Sequence, residues 1–413
     1  MDMKADRWGM SAPISLISSC QFVTGAKCAA IYDLENNNVF SLNETAKNVI
    51  EGNIENTAFV KELKKIGLIN TNSIIPPKRK KFLTPAKLDF MWLELTSKCN
   101  LRCLHCYAKG EINNNLNNSE LDTKFWEKII KEGSYLNCHK MQFIGGEPFL
   151  RKDLFNLADY AKENGYEFIE VFTNGTLLSR EKIKTIKNLG LNIAISIYSY
   201  CQETHESITR VKNSFKNVLK NLEILKEEDV PTRVAVIIMK QNQGTITRTL
   251  NFLKRLGIAS RPDVVRPTGD NDFQSIMPCM EVLKKWCFVK EPNFSTSYED
   301  FYYNQNWNSC WVGKIAITSN GNVIPCIFAR NHVVGKLSDS ISLTEVIKNK
   351  DLQYFWKITK DDVEVCKDCE YRYACRDCRP LAEATYRDLF AKSPRCKYNP
   401  YKGVWEGGEI YAN

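Results

Sequence analysis

Between residues 88 and 267 the chain alternates short apolar runs with helical stretches, and that alternation leaves little choice of fold. The runs LDFMWLELT, KMQFIG, EFIEVFT, LNIAISIYS, TRVAVIIMK and DVVRP are rich in β-branched residues. Stretches such as DTKFWEKIIKEG, RKDLFNLADYAKENG and SFKNVLKNLEILKEE separate them. Strands that alternate with helices pair in parallel through right-handed crossovers. Six such units fall short of the eight that close a full barrel. The pattern predicts an α/β fold, an open (β/α)6 partial barrel over residues 86–270, with its chemistry in loops at the carboxyl ends of the strands.

The remaining chain is organised around that barrel. At 413 residues and 47.5 kDa it exceeds what one core usually organises, so two or three domains are expected. Residues 14–75 form a small unit: ISLISSCQFV, CAAIYDL and VFSL, then a polar start NET and helical patterns around Ala46–Ile50 and Phe59–Ile66, closing at Gly67. This order predicts a three-stranded sheet backed by helices, in an N-terminal domain spanning 1–78. The segment IIPPKRKKFLTP reads as a linker, placed at 79–85. Beyond Asp272 the alternation stops, giving a bridging region at 271–309 and a loop-rich, cysteine-dense domain at 310–413. No apolar run approaches the roughly 18 residues of a spanning helix, and the opening MDMKADRWGMSAP lacks the apolar core of a secretory signal. A cytoplasmic protein with no membrane partner is expected. The net charge of 57 − 48 = +9 is spread too evenly to demand a nucleic-acid partner.

Sixteen cysteines are anomalous for such a chain. Clustered thiols in a long cytosolic protein read as metal ligands or redox groups rather than disulfides. Seven of them, Cys310, Cys326, Cys366, Cys369, Cys375, Cys378 and Cys396, fall in the last 104 residues. Three more, Cys99, Cys103 and Cys106, form a C-x3-C-x2-C loop directly after the first barrel strand. Three thiolates on so short a loop can wrap one corner-sharing cluster but cannot complete four-coordinate zinc without a distant ligand. His105 lies between two of them, where its backbone is already committed to the loop. Three ligands for four irons leave one iron open.

The segment LELTSKCNLRCLHCYAKG resembles the signature of the radical S-adenosylmethionine (SAM) superfamily, whose partial barrel also has six βα units. The resemblance implies a [4Fe-4S] cluster whose open iron is chelated by the amino and carboxylate groups of SAM. It also implies reductive cleavage of SAM to methionine and a 5′-deoxyadenosyl radical that takes a hydrogen atom from an unactivated C–H bond. Gly145, Gly146, Glu147 and Pro148 end the second strand and resemble the GGEP motif that receives the SAM amino group. The glycines allow backbone approach and the glutamate offers an acceptor. By the same resemblance Tyr107, Asn174 after the third strand, Ser196 with Tyr198 on the fourth, and Val265 after the sixth are SAM-binding positions. In ETHESITRVKNSF the chain departs from the family's HD-x-I-R pattern, with Thr209 at the arginine position and Arg210 one residue late, so neither is assigned a role.

The tail pattern, Cys310-x10-Gly321-x4-Cys326, Cys366-x2-Cys369-x5-Cys375-x2-Cys378 and Cys396, resembles the SPASM domain appended to radical SAM enzymes that modify peptides and proteins. One spacing departs from it, x2 where x3 is usual before the sixth cysteine. A zinc ribbon on the paired CxxC motifs is the competing reading. The resemblance implies two further clusters, making three [4Fe-4S] clusters with SAM. Cys366, Cys369, Cys375 and Cys396 would hold the distal one, and Cys310, Cys326 and Cys378 the one nearer SAM. Cys287 is a candidate for its fourth ligand; otherwise that iron stays open. The segments CKDCEYRYACRDCRP, SPRCKYNPYKGVWEGG and SCQFVTGAKCAAIYDL resemble the grasp-with-spasm group of ribosomal-peptide maturases. The N-terminal order resembles the winged-helix-like domain that grips leader peptides by adding a strand to its sheet.

The implied function is an oxidoreductase, a radical SAM maturase that closes an intramolecular thioether or carbon–carbon cross-link in a ribosomally made precursor peptide. Its implied partners are that precursor with its leader, a flavodoxin- or ferredoxin-type reductant and an ATP-grasp ligase encoded nearby. A sulfatase-type maturase making formylglycine from Cys or Ser is the alternative enzyme. A non-catalytic iron–sulfur scaffold or electron-transfer protein is the alternative of another class, though a GGEP motif would then have no purpose. No catalytic acid or base is assigned: His105, His139, His205 and His332 are scattered, and Asp270 and Asp272 are loop carboxylates. Cys20, Cys28, Cys138 and Cys201 read as core residues.

Overall fold

A computed structural model describes residues 13–69, 87–108, 120–266, 273–286 and 295–405. The linker at 79–85, the carboxylates Asp270 and Asp272, and Cys287 lie outside the described residues. The described chain forms two compact units. One holds residues 13–69, 295–310 and 357–405; the other holds the barrel together with residues 311–356.

In the first unit β1 (Cys20–Thr24), β2 (Ala29–Asp33) and β3 (Asn38–Leu42) form an antiparallel sheet in that order. Helices Glu44–Ile50 and Thr57–Lys65 follow, each started by an asparagine, Asn43 or Asn56, whose side chain accepts a backbone N–H of the first turn. The apolar string AAIYD does not alternate because β2 is buried on both faces. One face, with Ala29 and Ile31, packs on Ile50 and Leu63. The other, with Ala30 and Tyr32, packs on Phe301, Tyr371, Tyr373 and Tyr398. The predicted sheet and both helices are therefore present, and the far face of the sheet carries the distal part of the tail.

The second unit is built on β4 (Phe90–Thr96), β5 (Lys140–Gly145), β6 (Phe168–Thr173), β7 (Asn192–Ser196), β8 (Thr232–Ile238) and β9 (Ala259–Val264). Consecutive strands pair in parallel, and β9 ends the sheet without meeting β4, as an open partial barrel requires. Met91, Met141 and Ile169 share a row, with Met91 against Gly133 of the helix Thr123–Tyr135, so that row faces the helices. Glu94, Ser196, Arg233 and Ala235 alternate with such rows and face inward.

Past Asp272 the sheet continues beyond β4. Strand β10 (Lys314–Ile317) pairs with β4 in parallel, and β11 (Asn322–Ile324) and β12 (Gly335–Lys336) complete nine strands. The sequence predicted loops here. Runs of four, three and two residues are too short to display a strand period. Cys20 and Cys138 are buried as expected, whereas Cys201 is only half-buried and hydrogen-bonds the Glu203 carboxylate at 2.8 Å, and Cys28 is also half-buried. No helix among the described residues is long and apolar enough to cross a membrane.

Candidate cofactor sites at the strand ends and in the tail

The cysteine loop leaves β4 and is pinned by its backbone. Arg102 N–H donates to Thr209 O at 3.1 Å and Leu104 N–H to Ile208 O at 3.0 Å, tying the loop to the end of the helix Gln202–Thr209. Thr209, the departure from the family pattern, is fully buried with its hydroxyl 2.7 Å from Ser214 Oγ, while Arg210 turns outward at φ +59°. Neither side chain is directed to the cysteine loop by these contacts. Asn100 bridges to the β6 end, donating to Thr176 Oγ1 at 2.9 Å and accepting from Asn174 Nδ2 at 2.8 Å.

The three thiols lie within electrostatic reach of one another. Burial first, then the backbone donor of Leu101 against the charges of Glu147 and Cys106, leaves Cys99 at about 11. Burial and then the charges of Cys106 and Cys99 push Cys103 up to about 12. Thiols held neutral by burial and mutual repulsion become good ligands when a cationic centre supplies the missing positive charge. This donor set suits a cluster with one thiolate per iron, and its chemistry fits the group the loop predicts. The Tyr198 phenol adjoins Cys103 and Ser196, and its ring meets His105 edge-on at 4.8 Å. His105 Nδ1 is buried without a partner among the described residues.

The second motif is clamped against this loop by backbone. Gly146 N–H donates to Thr96 O at 2.7 Å and Glu147 N–H to Lys98 O at 2.8 Å. Gly145 adopts φ +146°, and a Cβ on Gly146 would lie 2.1 Å from Lys98 O, so only glycine permits this approach. Gly146→Ala is expected to force the two loops apart, raising the SAM dissociation constant at least tenfold with little loss of secondary structure. Equilibrium binding and circular dichroism measure both.

Glu147, expected to be an acceptor for an ammonium, is fully buried and already engaged. Its carboxylate accepts from Thr173 Oγ1 at 2.7 Å, Asn174 N at 2.8 Å and Phe149 N at 3.1 Å. Three of roughly four lone-pair sites are thus used within the chain, and burial still raises its pKa. The structure shows it bracing β5 to β6. Pro148 opens the following turn. Sequence reasoning missed a second brace: Arg151 donates to Leu95 O at 2.9 Å and pairs with Asp153 at 2.6 Å, which its hydrogen bond holds at about 2. The run RKD directly behind GGEPFL is the only signal for it.

Three charge pairs line the inner face of the barrel. Glu170 meets Arg233 and Glu94 meets Arg330, each at 2.6 Å, and Asp263 pairs with Arg266. Tyr107 lies 5.9 Å from Phe328 and under the Arg330 guanidinium, so this expected SAM neighbour also touches the segment after Cys326. Val265 is buried and continues the β8–β9 pairing through Ile238 O at 3.0 Å.

In the other unit Cys396 acts on the ionisation of Cys366 and Cys375, and Cys366 and Cys375 act on that of Cys369. Burial raises Cys375 to about 12, with the Lys360 charge opposing it and the charges of Asp377, Cys396 and Cys366 adding to it. Cys378 heads the helix Arg379–Tyr386, and Cys310 N–H bonds Asn308 Oδ1 at 3.0 Å. Cys310 and Cys378 belong to the unit of the N-terminal sheet, and Cys326 to that of the barrel.

Residues 93–253 match the radical SAM superfamily, and residues 310–370 match the iron–sulfur cluster-binding domain SPASM. The chain carries a radical SAM domain and a C-terminal SPASM domain. It is 27% identical over 354 residues to an AdoMet-dependent heme synthase of Methanosarcina barkeri, covering 78% of this chain and 99% of that protein. It is 26% identical over 334 residues to a PqqA peptide cyclase of Granulibacter bethesdensis, covering 76% and 88%. Its fold resembles that of Streptococcus suis SuiB bound to the precursor peptide SuiA, with a TM-score of 0.60 and 15% identity over 94% of this chain and 100% of that one. Radical SAM chemistry requires a [4Fe-4S] cluster and SAM, and the loop of Cys99, Cys103 and Cys106 has the donors for the former.

Proposed function

We propose that this radical SAM/SPASM protein is a maturase of a ribosomally made peptide. The observation that carries the reading is the N-terminal sheet: β1 and β3 are edge strands flanking a buried β2, a form that accepts an extended peptide as an added strand. The likeness in fold to SuiB spans nearly the whole chain, and the PqqA peptide cyclase similarity points the same way.

In this reading Cys99, Cys103 and Cys106 hold the SAM-cleaving cluster, and Gly145, Gly146, Pro148, Asn174, Ser196, Tyr107 and Val265 surround SAM. Bound there, cluster and SAM supply a primary carbon radical able to take a substrate hydrogen. The chain's own work is positional: Glu147 fixes the glycine loop, Asn100 and Asn174 fix the cysteine loop, and the inward Glu–Arg pairs line the space for the substrate. Cys310, Cys326, Cys378 and the set from Cys366 to Cys396 hold two more clusters, three in all. A flavodoxin- or ferredoxin-type protein supplies electrons in the cytoplasm, an ATP-grasp ligase acts on the same precursor, and the product is an intramolecular thioether or carbon–carbon link.

The heme synthase similarity, which spans 99% of that protein, favours a second reading in which the substrate is a haem precursor. One assay separates them. Anaerobically reconstituted protein with reductant, SAM and the precursor peptide encoded beside this gene is expected to release 5′-deoxyadenosine in step with a peptide lighter by the hydrogens of one new bond, and excess leader alone should compete. Haem formation from a haem precursor added to the same mixture, with the peptide unaltered, would replace this reading by the second, and a formylglycine product would replace the cross-link by sulfatase-type oxidation.

A further inference from the structure

Beneath the distal cysteines lies a buried charge cluster that none of the preceding roles uses. Lys360 is 7% exposed and its Nζ sits 2.6 Å from Asp377 Oδ2. Arg379, 1% exposed, pairs with the same carboxylate and donates to Leu389 O and Ala391 O, each at 2.8 Å. Two cations therefore share one carboxylate, leaving one surplus positive charge away from water. A buried surplus charge is costly unless an anion faces it.

The cavity these residues line also contains Cys375, and its other lining groups are neutral. Lys360 and Arg379 thus share one cavity with a thiol proposed as a ligand of the distal cluster, and the surplus charge lies beside it. A cubane held by four thiolates is an anion and gains one further negative charge on reduction. A fixed neighbouring cation favours the reduced form, because net local charge is one of the terms that set such potentials.

We propose that the Lys360–Asp377–Arg379 cluster is an electrostatic tuning site that raises the reduction potential of the cluster at Cys366, Cys369, Cys375 and Cys396. The proposal rests on the reading of those four cysteines as ligands, so the iron content and paramagnetic signals of the wild-type holoprotein are measured first. Absence of the distal signal there overturns the ligand reading itself.

With the signal present, redox titration followed by electron paramagnetic resonance is compared across Lys360→Met, Lys360→Gln and Lys360→Arg. The neutral variants are expected to shift the distal midpoint to lower potential at full iron content, leaving the SAM-cleaving cluster unmoved. Lys360→Arg is expected to titrate as wild type. Loss of the distal iron in both neutral variants but not in Lys360→Arg reads the same charge requirement during assembly. An unchanged midpoint in a fully loaded neutral variant, or iron loss in all three, overturns the proposal.

Discussion

Changing Cys99, Cys103 and Cys106 together to Ala is expected to abolish SAM cleavage and to lower bound iron from about twelve to about eight per chain, on the proposed count of three four-iron clusters. The fold should survive. The contacts that tie the loop to its neighbours, Arg102 N to Thr209 O, Leu104 N to Ile208 O and the Asn100–Asn174 pair, involve no thiol, and the loop loses only the weak bond from Leu101 N–H to Cys99 Sγ at 3.4 Å. The variant also loses the burden of burying three thiols that repel one another's ionised forms. Iron analysis, 5′-deoxyadenosine release and thermal unfolding are measured on one preparation. Undiminished 5′-deoxyadenosine release would sink the assignment, and an unfolded variant would show that the loop's shape depends on its sulfurs.

Much of the architecture was legible because its signals are periodic or covalently close. Five of the six barrel strands announce themselves by an apolar run bounded by polar residues, whereas β9, ASRPDV, is polar and only its last two residues fall in the predicted run DVVRP; three cysteines within eight residues cannot avoid one another. The motif GGEP was legible as a turn with close backbone approach, since glycine pairs have few other uses. What escaped reading depends on partners distant in sequence. Glu147 looks like a free acceptor until Thr173, 26 residues later, is seen to occupy it. Lys360 reads as a solvated lysine until Asp377 and Arg379 close over it.

The N-terminal unit shows the same limit on a larger scale. Its three strands and two helices follow from patterning within residues 14–67. That β2 is buried on both faces could have been suspected from the absence of alternation in CAAIYDL. The identity of the covering residues, Tyr371, Tyr373 and Tyr398, could not, since these aromatics lie more than 300 positions away and among cysteines that dominate any local reading.

Tyr32 therefore offers the second large effect. It is fully buried, stacks edge-on with Phe301 at 4.9 Å and donates its phenol to Glu370 O at 2.9 Å, the residue directly after Cys369. Nearby, Ala26 N–H donates to Asp368 O at 2.8 Å, and a side chain on Gly25 would strike Glu370. The short turn Cys366–Asp368, which presents the first CxxC pair, is thus held from the N-terminal side. Removing a buried aromatic ring costs about 3–5 kcal/mol, so Tyr32→Ala should destabilise this unit by that amount. It should also lose about one cluster of iron. Tyr32→Phe keeps the ring and forfeits only a hydrogen bond, about 1 kcal/mol, and should retain its iron. Deleting residues 1–69 should be worse than either, because it exposes the whole aromatic face, so leader binding is properly tested on the intact chain by competition rather than by truncation. Denaturant titration and iron analysis decide the matter: a Tyr32→Ala protein with wild-type midpoint and iron would mean that the sheet leans on the tail without supporting it.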